Sequence, residues 1–294
     1  MEKVLKGINP AILTPFRDEG IDEGAFLRLI DFLIKAGVDG LFVGGTTGEG
    51  PLLSIEERKR LIELAVKGAG GRVKVAFQAG CPSTKDTISL LLHAREVGAD
   101  AAAVLAPYYY RYDDEALLTH FVKVAGAVPD LPIYLYNIPM FTGNDIRPRL
   151  AKEIAGRCPN IVGLKDTTRD FDRFLEYLSE LSPKLSILMG NDSYLLSALL
   201  MGGTGAVSAV GNVFPEMLVR IYHLFKEGRV EEAVREQLRV IRVKEILREG
   251  GLAAHKAALA LRGIPSGGVR PPQMELTEGQ RLNLERRLKE EGFL

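Results

Sequence analysis

Short apolar runs and helical patterns alternate along most of this chain. The runs are INPAILTP (8–15), GLFVGG (40–45), KVAFQAG (74–80), AAAVLAP (101–107), PIYLYN (132–137), IVGLKD (161–166), LSILMG (185–190) and GAVSAV (205–210). Each is short, rich in β-branched or small residues, and bounded by Gly, Pro, Asn or Asp. Buried parallel strands have this pattern. Helical spacing fills the gaps. SIEERKRLIELAVKG opens with Ser54 and carries Glu57 three positions on, a capping box. STKDTISLLLHAREVG and DDEALLTHFVKVAG follow the same logic and stop at Gly98 and Gly126. Even repetition without a composition break predicts a (β/α)8 barrel over residues 1–214; a doubly wound sheet rarely repeats its unit so evenly. After Pro215 the chain turns helical and more charged, apart from GIPSGGVRPPQ. Residues 215–294 are expected as helices packed on the barrel.

Composition narrows the function. Hydrophobic residues make up 46% of 294, enough for a large core, and 38 basic residues balance 38 acidic ones. That balance removes any global argument for nucleic acid or an anionic membrane surface as partner. No run has the length of a transmembrane span, and the start MEKVLKGINP lacks an apolar signal core. Two cysteines, Cys81 and Cys158, make no disulfide framework, so a cytoplasmic location is expected. The four histidines are widely spaced and show no metal-ligand spacing.

In a (β/α)8 barrel, active sites lie at the C-terminal ends of the strands. The polar residues expected there are Thr14, the loop GGTTGEG, the run PYYY, Tyr136-Asn137, Lys165-Asp166, Gly190-Asn191-Asp192 and Ser208. Strand alternation puts Gly163 and Lys165 on the inner face, with Leu164 and Asp166 toward the helices. Gly163 would then leave room for the lysine stem. A lysine inside the mouth loses its proton to desolvation and becomes a nucleophile toward carbonyl carbon. The bland alternative is a lysine snorkelling at the strand end or paired with Asp166. In GGTTGEG, Thr46 and Thr47 stand among glycines whose backbone N–H groups suit an anion. Phosphate sites in barrels usually follow the last two strands, so a carboxylate fits this loop better. Tyr136, one strand from Lys165, has a phenol able to act as acid and base.

GTTGE after the second strand, PYY after the fourth, YNIP…TG after the fifth and GLKDT at the sixth occur in that order. This combination resembles the pyruvate-dependent class I aldolase family, which includes dihydrodipicolinate synthase, N-acetylneuraminate lyase and 2-keto-3-deoxy-gluconate aldolase. The likeness covers essentially the whole chain. It implies a homotetramer whose substrates are pyruvate and an aldehyde, with no metal and no cofactor beyond the lysine imine. By position, Lys165 matches the Schiff-base lysine and Tyr136 the proton-relaying tyrosine. Thr46 and Thr47 match the carboxylate loop, with Thr46 also in a hydroxyl relay with Tyr136 and Tyr109. Tyr108 matches a tyrosine that reaches a neighbouring subunit's site, and Gly190, Asp192 and Val207 match pocket-lining positions. Dihydrodipicolinate synthases carry Arg two residues after the proline of YN-x-P; here Phe141 stands there. APYYY, YLYN, LKDT and RPP resemble the archaeal-type ketodeoxygluconate aldolases, although Glu49 and Arg111 depart from them. The expectation is aldol cleavage or synthesis of the 2-keto-3-deoxy sugar acid type, with Tyr109, Thr167 and Ser208 as hydroxyl partners of the aldehyde. Three alternatives stay open: 4-hydroxy-tetrahydrodipicolinate synthase acting on aspartate semialdehyde, a hydratase–aldolase or decarboxylating dehydratase on the same iminium, and a non-catalytic barrel that senses a keto acid.

Overall fold

The computed structural model describes residues 4–294. Eight parallel strands form one sheet: β1 (Gly7–Pro10), β2 (Gly40–Val43), β3 (Lys74–Gln78), β4 (Ala101–Leu105), β5 (Ile133–Asn137), β6 (Ile161–Asp166), β7 (Ser186–Met189) and β8 (Gly205–Ser208). Neighbours pair in sequence order, and β1 pairs with β8. A parallel bridge between Ala11 and Phe42 brings the first two strands together and completes the (β/α)8 barrel. The strands are shorter than the apolar runs. The runs overshoot because the chain stays buried after leaving the ladder: Leu13 and Thr14, past the end of β1, have no exposed surface.

Helices follow the strands: α1 (Glu23–Lys35), α2 (Ile55–Ala69), α3 (Thr84–Glu96), α4 (Asp114–Gly126), α5 (Pro148–Arg157), α6 (Phe171–Leu181), α7 (Leu195–Leu200) and α8 (Pro215–Lys226). The Ser54–Glu57 capping box opens α2 on both of its hydrogen bonds. Gly98 takes a left-handed φ of 81° after α3, and Gly126 is the last residue of α4, with Ala127 as its C-cap. The expected boundary at 214/215 falls one helix early. Helix α8 packs on β1 and α7, so it is the eighth barrel helix. The additions are α9 (Val230–Arg248), α10 (Gly251–Leu261) and α11 (Glu278–Glu290). Among the described residues, no helix is long and apolar enough to cross a membrane.

Two layers of core separate the barrel's inside from its outside. The inner layer is small and partly aromatic: Phe42, Ala76, Ala101, Ala103, Tyr134, Tyr136, Leu188 and Val207. The outer layer, between strands and helices, is aliphatic and includes Leu164. Tyr134 fills the barrel's lower half, and its hydroxyl accepts the Leu5 N–H at 2.8 Å. Gly163 is the residue that admits it. A Cβ there would lie 2.3 Å from the Tyr134 ring and 2.4 Å from the Ser186 carbonyl oxygen. The space at Gly163 therefore belongs to the Tyr134 ring rather than to the stem of Lys165. Gly163→Ala should destabilise the fold by about 1–3 kcal/mol, the usual cost of overpacking a filled core. Denaturant melts of the two proteins measure this; equal midpoints would mean that the ring moves aside freely.

Candidate active site

The parallel register sets the centre of the site. Tyr136 on β5 and Lys165 on β6 are direct Cα partners, so both side chains project to the same inner face. Lys165 is only 3% exposed. Its Nζ lies 3.9 Å from the centroid of the Tyr136 ring and 4.2 Å from that of Phe42. These two rings meet edge to face at 5.6 Å and form an aromatic collar around the amine. Ring faces favour an ammonium, as do a hydrogen bond from the amine to Tyr136 and the nearby Asp192. Desolvation opposes them and is larger: burial pushes the Lys165 amine below its ordinary range. The result is an amine with little water around it and a reduced hold on its proton.

The Gly-rich loop after β2 supplies the second part. The Thr46 hydroxyl lies 3.3 Å from the Tyr136 hydroxyl. Thr47 is half-buried beside it. Gly48 sits so close to the chain after β1 that a Cβ would lie 2.8 Å from the Ile12 carbonyl oxygen, and its own carbonyl accepts the Thr14 hydroxyl at 2.6 Å. Gly50 has no space either: a Cβ would lie 2.1 Å from the Gly44 carbonyl oxygen. The glycines permit this close folding and leave the two threonines as the polar tip.

The third part comes from the ends of β6, β7 and β8. Gly190 donates its N–H to the Asp166 carbonyl at 2.6 Å, and a Cβ there would strike the Thr167 hydroxyl at 2.2 Å. The Thr167 Oγ1 is buried without a hydrogen-bond partner. Asp192 is also buried. Its Oδ2 accepts the Val210 N–H at 3.3 Å, while its Oδ1 has no partner. Val207 lines the barrel interior with Leu188 and Tyr136.

Other expected residues fall elsewhere. Tyr109 is 86% exposed and has a left-handed φ of 85°. This backbone turn carries its ring outward against Tyr110, at 5.0 Å, and not to the Thr46–Tyr136 pair of its own chain. Tyr108 goes the other way. It is half-buried against the inner cluster, and burial pushes its phenol up. Within one chain, then, the inward tyrosine is Tyr108 and the outward one Tyr109. Ser208 is fully buried, and its hydroxyl accepts the Gly211 N–H at 2.8 Å, capping the turn after β8. It is tied into the barrel wall rather than offered to a substrate. Phe141 is 65% exposed on a short helical turn, Pro139–Thr142. The Arg111 guanidinium donates to the Gly143 carbonyl at 2.8 Å and braces that turn.

Sequence reasoning missed Phe42, the second wall of the collar. Nothing distinguishes it from a core phenylalanine until β2 and β6 are seen to face one another. It also missed the partners of Glu49. A carboxylate in a glycine loop and Lys256 inside AAHKAALAL were the only signals. Among the described residues, no group of three His, Cys, Asp or Glu side chains converges as if around a metal ion.

The model of the dihydrodipicolinate synthetase family matches residues 4–291. A 4-hydroxy-tetrahydrodipicolinate synthase of Methanopyrus kandleri is 37% identical, over 99% of this chain and 97% of its own length. An uncharacterized DapA-like lyase of Halobacterium salinarum is 38% identical, over 99% and 95%. Among solved structures, YagE, a prophage protein of the dihydrodipicolinic acid synthase family from E. coli K12 in complex with pyruvate, superposes with a TM-score of 0.95 at 34% identity, over 99% of this chain and all of that one. With a desolvated lysine at the mouth of a barrel of this shape and likeness along nearly its full length, the chain belongs to the dihydrodipicolinate synthetase family of class I, lysine-imine lyases.

Proposed function

We propose that Lys165 forms an imine with pyruvate and that the enzyme makes or breaks a carbon–carbon bond between pyruvate and an aldehyde. The observation that carries this is the desolvated Lys165 amine beside the Tyr136 and Thr46 hydroxyls. The neutral amine attacks the keto carbon, and loss of water from the carbinolamine gives the iminium. The iminium accepts electrons, so the pyruvate methyl gives up a proton and becomes an enamine. The enamine carbon then attacks the aldehyde carbonyl, and water releases the product and the amine. Reversal gives cleavage. Tyr136, relayed through Thr46, is placed to hand protons to and from the carbinolamine and aldehyde oxygens. Thr47 and the loop N–H groups suit the pyruvate carboxylate. The family resemblance carries a homotetramer with this reading, and the exposed rings of Tyr109, Tyr110 and Phe141 beside the mouth are a surface such an assembly would cover.

Two aldehydes compete. The names of several relatives, from Methanopyrus kandleri and Methanocaldococcus jannaschii among them, favour aspartate semialdehyde, and they support that reading more than the sugar-acid one. The side chains favour an uncharged, hydroxylated aldehyde. Phe141 offers no charge at the position where dihydrodipicolinate synthases carry a carboxylate-gripping arginine, and Arg111 is directed toward the Gly143 carbonyl. Thr167 Oγ1 and Asp192 Oδ1 are buried without a partner, and a substrate hydroxyl that reached them would satisfy them. We give the greater weight to the side chains, because the second substrate must meet them.

Borohydride added with pyruvate should fix the reduced pyruvate mass on the peptide that holds Lys165. Because the amine is depressed, half-maximal trapping should come at a pH below the ordinary lysine range of about 10.4. An adduct elsewhere, or none, removes the proposal. Tyr136→Phe keeps the ring and should lower kcat by about 10²–10⁴-fold, the size of a positioned acid–base contribution. An unchanged kcat would make Tyr136 a wall of the collar only. In a panel of aldehydes read by mass spectrometry, glyceraldehyde should condense with pyruvate and aspartate semialdehyde should turn over poorly. Efficient turnover of the semialdehyde at low concentration would establish the relatives' reaction instead.

A further inference from the structure

Behind the Thr46–Thr47 loop lies a buried charged cluster that the reaction does not use. Glu49, two residues after Thr47, holds a left-handed backbone, φ 57° and ψ 26°, which a residue with a Cβ rarely adopts. Its carboxylate is sealed from solvent. Oε1 pairs with Lys256 Nζ at 2.7 Å, with side-chain exposures of 1% for Lys256 and 0% for Glu49. Oε2 accepts the Arg270 backbone N–H and the Gln273 side-chain amide, both at 2.8 Å. Lys256, on α10, also donates to the Gly268 carbonyl at 2.6 Å and lies 4.2 Å from the centroid of the Phe16 ring. The Arg270 guanidinium lies over the same ring at 4.4 Å and grips both oxygens of Glu57, the capping-box residue of α2, each at 2.7 Å. The Gly/Pro-rich stretch after α10 is therefore a strap. It joins the C-terminal helices to the segment that follows the two threonines, at Glu49 and at the start of α2.

The physical question is why a charge pair stands where apolar packing would serve. A buried ion pair is weak evidence for stability, because desolvation offsets most of its attraction. What it does fix is geometry, since each partner must meet the other or remain an uncompensated charge. Here the fixed element is the turn that shapes the loop. The Glu49 N–H donates to the Thr46 carbonyl at 3.1 Å, and the Gly50 N–H to Gly45 at 3.0 Å. Releasing the Glu49 carboxylate would free its left-handed turn, and with it the direction of the Thr46 and Thr47 hydroxyls.

We propose that Lys256 is a positioning residue for the carboxylate-binding loop: through Glu49 it holds the backbone turn that aims Thr46 and Thr47 into the mouth. This rests on the pyruvate reading above. The test is pyruvate-dependent borohydride trapping on the full chain, with the melting temperature followed in parallel. Lys256→Met should raise the pyruvate concentration for half-maximal trapping at least tenfold, while trapping at saturating pyruvate changes by less than about threefold. A merely structural lysine would lower the melting temperature and leave half-saturation unmoved, and that result overturns the proposal. If Lys256→Met does not fold, Gln273→Leu decides, because it removes one neutral hydrogen bond from the same carboxylate and strands no charge. It should raise half-saturation about threefold or more, and an unchanged value overturns the proposal. Absence of a Lys165 adduct in the unsubstituted protein would remove the pyruvate reading and this inference together. A normal adduct with unmoved variants removes the inference alone.

Discussion

The site depends on the alternation of the last four residues of β6, Gly163 to Asp166, which follows an irregularity at Val162 where the register with β5 shifts. Lys165 faces the barrel interior because Leu164 and Asp166 face the helices, and the pairing of Tyr136 with Lys165 puts phenol and amine side by side. A slip of one residue would turn Asp166 inward and bury the amine among the helices. The register is held below the site by a steric lock, the Tyr134 ring over Gly163. The glycine that looked like space for the lysine is instead the device that fixes where the lysine points.

The outer face of the same strand carries its own polar lock. Asp166 accepts the Thr168 hydroxyl at 2.7 Å, yet burial still pushes its carboxyl up to about 6. Beside it, the Asn137 side-chain amide donates to Asp145 and to the Tyr177 hydroxyl, both at 3.0 Å, and Tyr177 donates to the Ile146 carbonyl at 2.6 Å. Arg173 closes the set on Asp145 at 2.9 Å. These bonds join β5, the loop before α5, and α6 just outside the two catalytic candidates. The ends of β5 and β6 therefore have little freedom to twist, and the amine–phenol spacing is set before any substrate arrives.

What was legible in the sequence followed from periodicity and local chemistry. All eight strands announced themselves because parallel strands buried on both faces are nearly continuous apolar runs. Lys165 stood out because a charge in such a run has a cost that demands a reason. The directions of Tyr108 and Tyr109 were not legible, because they turn on one left-handed φ at Tyr109. Nor was the fate of Ser208, whose hydroxyl is taken by a backbone N–H only three residues on. The Glu49–Lys256 pair was hidden for another reason: neither residue belongs to a periodic motif that names its partner, and only the closed barrel brings α10 to the second loop.

The charges around the mouth bear on the second substrate more firmly than any motif does. Asp192 places a buried side chain near Lys165, with one oxygen unpartnered. A substrate carboxylate about 4 Å from it would meet a repulsion of roughly 4 kcal/mol at an effective dielectric constant of 20. Some cation would have to cancel that. Lys244, which feels the Asp192 charge, donates to the side chains of Asn191 and Ser193. Arg111 donates to the neutral Gly143 carbonyl, which holds its direction and leaves its charge. An aldehyde bearing hydroxyl groups reverses the sign of the same interaction, since a hydroxyl donates to Asp192 Oδ1 and leaves no charge to be neutralised. On the reading proposed above, the carboxylate that would repel one aldehyde is the group that would hold a hydroxyl of the other.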